Sequence, residues 1–157
     1  MHPTKNDLAD NVRAASIELL QARLSDAIDL TTQTKQAHWN VKGPSFIALH
    51  ELFDQIHGEM EEHVDTIAER LVSIGGQAYG TARTAAERST LPEYPLDINE
   101  GSAHIDALSS AMASFAKSTR EAIDEASEIG DEDTADVFTG VSRAIDKSLW
   151  FVEAHAA

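Results

Sequence analysis

The chain has 157 residues, with 27 Asp and Glu against 12 Lys and Arg and a formal net charge of −15. That length can bury a full core as a single domain over residues 1–157, and that charge repels nucleic acid and anionic membrane, because the few Lys and Arg are scattered rather than clustered. The lack of cysteine excludes disulfides, zinc–thiolate sites and thiol catalysis, and the absence of a long apolar run, at the start or elsewhere, points to a cytoplasmic protein with no membrane partner.

Helical periodicity dominates the sequence. The first predicted helix runs from about Asn6 to Asn40, with Leu8, Val12, Leu20, Leu24 and Ile28 on its apolar side. Residues 1–6 before it read as a short mobile tail. Gly43-Pro44 ends this helix and opens the second, since proline suits a first helical turn. The second runs to about Ile74, with Leu49, Phe53, Ile56, Met60, Ile67, Leu71 and Ile74 as its core stripe, and Gly75-Gly76 stops it. Residues 77–99 lack a clear period and contain Gly80, Pro92 and Pro95. They read as a crossover with a short helix around Ala82 to Arg88. A third helix follows Asn99 and ends near Ile129, before Gly130-Asp131, and a fourth carries Phe138, Val141, Ile145, Leu149 and Val152. Two tight helix pairs joined by one long connection predict an all-α, ferritin-like four-helix bundle, with the crossover between helices 2 and 3.

The second helix carries a second pattern. His50 and Asp54 are four apart, as are Asp65 and Glu69, and the two pairs are eleven residues apart. That is about three helical turns, so all four side chains share one side of the helix. At about 100° per residue this side lies roughly 120° from the core stripe, so the four residues face away from the bundle interior. His38 lies twelve residues before His50. Two imidazoles and three carboxylates suit a redox-active divalent metal such as iron. Asp54 and Asp65 are separated by about 16 Å along the helix, too far for one centre in one chain. A second copy packed antiparallel about a two-fold axis brings His50 and Asp54 opposite Asp65 and Glu69, giving two shared sites per dimer. Taken singly, each residue reads as ordinary surface, and Arg70 offers Asp65 and Glu69 a salt bridge. Five positions in register favour the metal. His57 and Glu61 fall on the same stripe between the pairs, where polar contact across the interface or additional metal would suit them.

At these residues the chain resembles the Dps family, the ferritin-like mini-ferritins of bacteria. The resemblance rests on Thr34-Lys-Gln-Ala-His-Trp-Asn-Val-Lys-Gly-Pro, on His50-Glu-Leu-Phe-Asp54 and Asp65-Thr-Ile-Ala-Glu69-Arg, and on Thr134-Ala-Asp with Asp146-Lys-Ser-Leu-Trp-Phe-Val-Glu-Ala-His. It implies a hollow dodecamer that oxidises Fe(II), preferably with hydrogen peroxide, and stores the ferric mineral. It implies that His38, His50 and Asp54 come from one subunit and Asp65 and Glu69 from its mate, with Trp39 beside the site as a trap for stray oxidant. It also implies a three-fold pore near the start of the fourth helix, where Glu128, Asp131, Glu132, Asp133 and Asp136 cluster and Glu132 and Asp136 share a face. The plain reading of those acids is favourable interaction with the helix dipole.

Family members that bind DNA often use Lys-rich tails. Here Lys5 stands with Asp7 and Asp10, and no basic run follows His155, so DNA binding is expected to be weak or absent. Two other functions compete with iron storage. A DNA-compacting nucleoid protein with secondary iron chemistry lacks the basic tails. An in-bundle oxygen-activating enzyme lacks the Glu-x-x-His pairs that such centres use.

Overall fold

The computed structural model describes residues 1–156, which form α1 (Asp10–Asn40), α2 (Phe46–Ser73), α3 (Ala82–Arg88), α4 (Gly101–Glu128) and α5 (Glu132–Glu153). α1 and α2 form one antiparallel hairpin and α4 and α5 another. α1 also packs on α4, and α2 on α5. This is the ferritin-like bundle the periodicity predicts. The stripes on α2, α4 and α5 meet in one core, where Phe53, Phe115 and Phe138 are fully buried alongside Leu20, Leu24, Leu30, Ile56, Met60 and Ile67. Among the described residues no helix is long and apolar enough to cross a membrane.

Local chemistry sets the helix ends. α1 begins at Asp10 rather than near Asn6, because Asn6 Oδ1 accepts the Leu8 N–H (3.0 Å) and Thr4 Oγ1 accepts the Asn6 N–H (3.1 Å). Side-chain turns of this kind compete with helix. The stretch expected as a tail runs beside the end of α2, where the His2 N–H donates to Gly75 O (2.6 Å). α2 and α4 end alike. Gly75 and Gly130 take positive φ, +94° and +84°. The following amide then reaches back, Gly76 N–H to Leu71 O (3.0 Å) and Asp131 N–H to Ala126 O (2.9 Å). This closure uses carbonyls the helix leaves free, and glycine adopts the left-handed turn without a Cβ penalty.

The crossover is strapped across α1. Gln21 and Tyr79 exchange two hydrogen bonds, through Tyr79 N–H to Gln21 Oε1 (2.9 Å) and Gln21 Nε2–H to Tyr79 O (3.0 Å). The buried Asp26 accepts from Thr90 N–H (2.7 Å) and pairs with Arg23 (2.9 Å), and Asp29 accepts from Ser89 Oγ (2.6 Å). Further on, Lys42 N–H donates to Asn99 O (2.8 Å), which pins the start of α4 to the α1–α2 turn. The α1–α2 hairpin therefore presents a braced outer face.

Candidate metal centre

His38 and His50 meet across the α1–α2 hairpin. His38 Nδ1 donates to His50 O (2.8 Å), and His50 Nδ1 donates to His38 O (2.9 Å). Their rings stack at 3.8 Å between centroids, 22° from parallel. A carbonyl only accepts, so each Nδ1 carries a proton, and in the neutral form of each ring the lone pair is on Nε2. Fixing the tautomer by a carbonyl on the other nitrogen is the usual preparation of a metal-binding imidazole. Both available nitrogens belong to one small patch, and His38 Nε2 lies 3.9 Å from Asp54 Oδ1.

Asp54 is exposed and accepts a hydrogen bond from Lys35 Nζ. That bond, with the positive charge of Lys35, holds the Asp54 carboxyl below the usual carboxylate range. Phe46 leans against His50 with ring centroids 5.1 Å apart. Trp39, next to His38, is 67% exposed.

Asp65 and Glu69 are exposed on α2, three turns from His50 and Asp54. The salt bridge that Arg70 could offer them, the plain alternative to a metal role, does not form. Arg70 turns the other way, donating from Nη2 to Asp131 Oδ1 (2.7 Å) and from Nε to Thr134 Oγ1 (3.0 Å), with Asp133 at 3.7 Å. The cause is Asp131, a nearly fully buried carboxylate that caps α5. It already accepts from Ser16 Oγ (2.6 Å) and Thr134 Oγ1 (2.7 Å), and its charge draws the Arg70 guanidinium. Asp131 thus leaves the exposed acidic group at the start of α5, in which the sequence placed it. Glu132 and Asp136 stay exposed there.

Among the described residues no three His, Asp or Glu side chains of one chain come together to hold a metal ion. The candidate ligands fall in two half-sets: His38 stacked on His50 with Asp54 beside it, and Asp65 with Glu69 three turns along α2. Beside the second runs an open groove of about 460 Å³ between α1 and α2, lined by Leu24, Ile28, Val64, Ala68 and Asp65 among others.

A family model, Ferritin-like domain, matches residues 17–157. A DNA protection during starvation protein of Agrobacterium fabrum is 49% identical over 154 residues, covering 98% of this chain and 95% of that protein. The chain belongs to the Dps family of ferritin-like proteins. A second Dps relative, also called DNA protection during starvation protein, from Brevibacillus brevis, is 33% identical over 139 residues, 87% of this chain and 91% of its own length. The solved structure of DpsC from Streptomyces coelicolor matches with a TM-score of 0.94 and 32% identity, covering 100% of this chain and 91% of that one.

Sequence reasoning missed three parts of this Dps surface: Lys35 on Asp54, the reciprocal histidine bonds, and Phe46 against His50. A usable signal was present. In an antiparallel hairpin turning near residue 44, positions 38 and 50 face each other, as do 35 and 54, and 31 and 57. The structure pairs these same positions through His38 and His50, Lys35 and Asp54, and Thr31 and His57.

Proposed function

We propose that this Dps protein oxidises Fe(II), with hydrogen peroxide as preferred oxidant, at centres shared by two copies of the chain. The ferric product is stored as mineral inside a hollow homo-oligomer, a dodecamer. The observation that carries this reading is the split ligand set. Two stacked imidazoles with fixed tautomers, one of them beside a carboxylate, stand on one face, and two exposed carboxylates with no ion-pair partner among the described residues stand three turns along it. An antiparallel copy of α2, related by a two-fold axis, completes both sets at once. The groove beside Asp65 is consistent with the same contact, since a second copy of this face would cover it.

The chemistry follows from the ligands. Neutral imidazole nitrogens and carboxylates hold Fe(II) while leaving positions open for an oxidant, and the carboxylates favour the more highly charged Fe(III). Two Fe(II) ions give hydrogen peroxide two electrons, and with two protons the products are two Fe(III) and two waters. The O–O bond breaks without releasing a hydroxyl radical. Trp39, exposed and next to His38 in the chain, would give an electron to oxidant that escapes, the role the family resemblance implies. At the start of α5, Glu132 and Asp136 would line a cation entrance and draw Fe(II) inward. Protection of DNA, the property in the relatives' name, then comes from removing iron and peroxide rather than from coating a polyanion with a protein of charge −15.

An oxygen-activating centre inside the bundle has no carboxylates to build on. Among the described residues the buried ones are Asp26 and Asp131, and both are fully engaged by neighbours.

The test is anaerobic addition of Fe(II) and hydrogen peroxide, followed by size exclusion with light scattering and an iron assay of each fraction. Ferric iron should elute with a particle of about twelve chains, a count taken from the family resemblance. His50→Ala combined with Asp65→Asn should abolish the oxidation while leaving the particle intact. A dimer or monomer that retains no iron defeats the proposal.

A further inference from the structure

His57 and Glu61 lie on the α2 face between the two half-sets, and the mechanism above does not use them. His57 Nδ1 donates to Thr31 O across the hairpin (3.1 Å). In the neutral form of the ring the lone pair is therefore on Nε2, and this atom lies 3.6 Å from Glu61 Oε1. The arrangement repeats the one at His38. A carbonyl of α1 or α2 takes the Nδ1–H, and Nε2 is left beside a carboxylate on the exposed face. The Glu61 side chain is 66% exposed, so it is free to adjust to a ligand.

The shared-centre register fixes where these residues meet their copies. With position 50 opposite 69 and 54 opposite 65, the two-fold axis crosses α2 between Glu59 and Met60. His57 and Glu61 of each chain then lie within about 4 Å of that axis, measured along the helix. The same register sets Glu61 over the partner's Gly58. A glycine weakens a helix interior, and a Cβ at Gly58 would meet nothing within its own chain. Close passage of a second α2 gives this glycine a role.

Charge makes the same demand. α2 carries seven Asp and Glu and a single Arg, and that arginine is committed to Asp131. Two such faces in contact bring Glu61 and Glu62 toward their copies with no lysine or arginine of α2 between them.

We infer that His57 and Glu61, together with the partner's His57 and the partner's Glu61, bind a divalent transition-metal ion on the two-fold axis, midway between the two oxidation centres. The inference rests on the shared-centre reading. Two imidazole nitrogens and two carboxylates form a four-ligand set suited to zinc or Fe(II). The ion offsets the carboxylates that the axis brings together and ties the two chains at the centre of their contact.

Zinc is the probe. The assembled protein is dialysed to equilibrium against Zn²⁺ and then against metal-free buffer, and retained zinc is measured per chain. Four proteins are compared: wild type, H57A/E61Q, H50A/D65N and the four-fold combination. H50A/D65N should keep one zinc ion per pair of chains, and the combination should lower that retention by at least about tenfold. Equal retention in H50A/D65N and the combination overturns the inference. Failure of the shared-centre reading shows separately, as iron oxidation that survives in H50A/D65N. Should H57A/E61Q fail to assemble by light scattering, Glu61→Gln alone, which keeps side-chain shape, replaces it in both arms. The same loss of zinc is expected, and undiminished zinc overturns the inference.

Discussion

Replacing Asp131 by alanine removes the acceptor that holds α1, α2 and α5 together. Asp131 is 1% exposed and accepts from Ser16, Thr134 and Arg70 at 2.6–3.1 Å. The Arg70 side chain is itself only 14% exposed. Alanine therefore deletes a helix cap, worth about 1 kcal/mol, and strands a nearly buried guanidinium. Losing one partner of such a pair costs about 3–5 kcal/mol in all, which for a chain of this size lowers the melting temperature by roughly 10 °C or more. The assay is thermal unfolding followed by circular dichroism at one fixed chain concentration, because assembly adds stability by mass action. Arg70→Met closes a double-mutant cycle. If the ion pair matters as described, the double variant recovers at least about 1 kcal/mol relative to the sum of the singles. Strictly additive losses would refute the reasoning. Acid supplies a second check. Burial alone would raise the Asp131 pKa, but the hydrogen bonds from Ser16 and Thr134 and the charge of Arg70 outweigh it, and the carboxyl sits below its ordinary value. A depressed carboxylate pKa stabilises the fold above the ordinary value, and that stability is lost as pH falls through the lower, folded-state value. Asp131→Asn should therefore differ most from wild type near neutrality, and the gap should narrow in acid.

Lys35→Met should tighten zinc binding several-fold by calorimetry, because Lys35 no longer competes for Asp54, and Asp54 should titrate closer to its ordinary value; weaker binding would count against Asp54 as a ligand. Glu132→Gln with Asp136→Asn should slow iron uptake at low Fe(II) in stopped-flow absorbance without changing the final load, and equal rates would remove these two residues from the entry route. Duplex DNA should run unshifted with the protein at physiological salt, since a −15 chain offers few phosphate contacts; retardation by sub-micromolar protein would contradict this.

The helices were legible because their signals are local. Apolar spacing located the core stripes of α2, α4 and α5, and α3 falls at Ala82–Arg88, where the sequence placed it, with Thr81 as its cap. The same spacing put His50, Asp54, Asp65 and Glu69 on a face turned from the core, because a helix fixes the angle between any two of its own residues. Where that face bends the chain to other elements, the sequence was silent. Arg70 stands one residue from Glu69, yet it spans 61 positions to reach Asp131. Adjacency along the chain did not reveal that a buried carboxylate competes for it more strongly than an exposed one, because the burial arises only when α1, α2 and α5 pack. The histidine tautomers have the same origin. Residue types and spacing supplied two imidazoles, but the side-by-side approach of α1 and α2 gave each Nδ1 its carbonyl and left each Nε2 available. Composition and period determined the bundle and the face that carries the candidate ligands. Tertiary packing decided which atoms on that face are free to act, because hydrogen-bond partners are assigned by contact in space and not by distance along the chain.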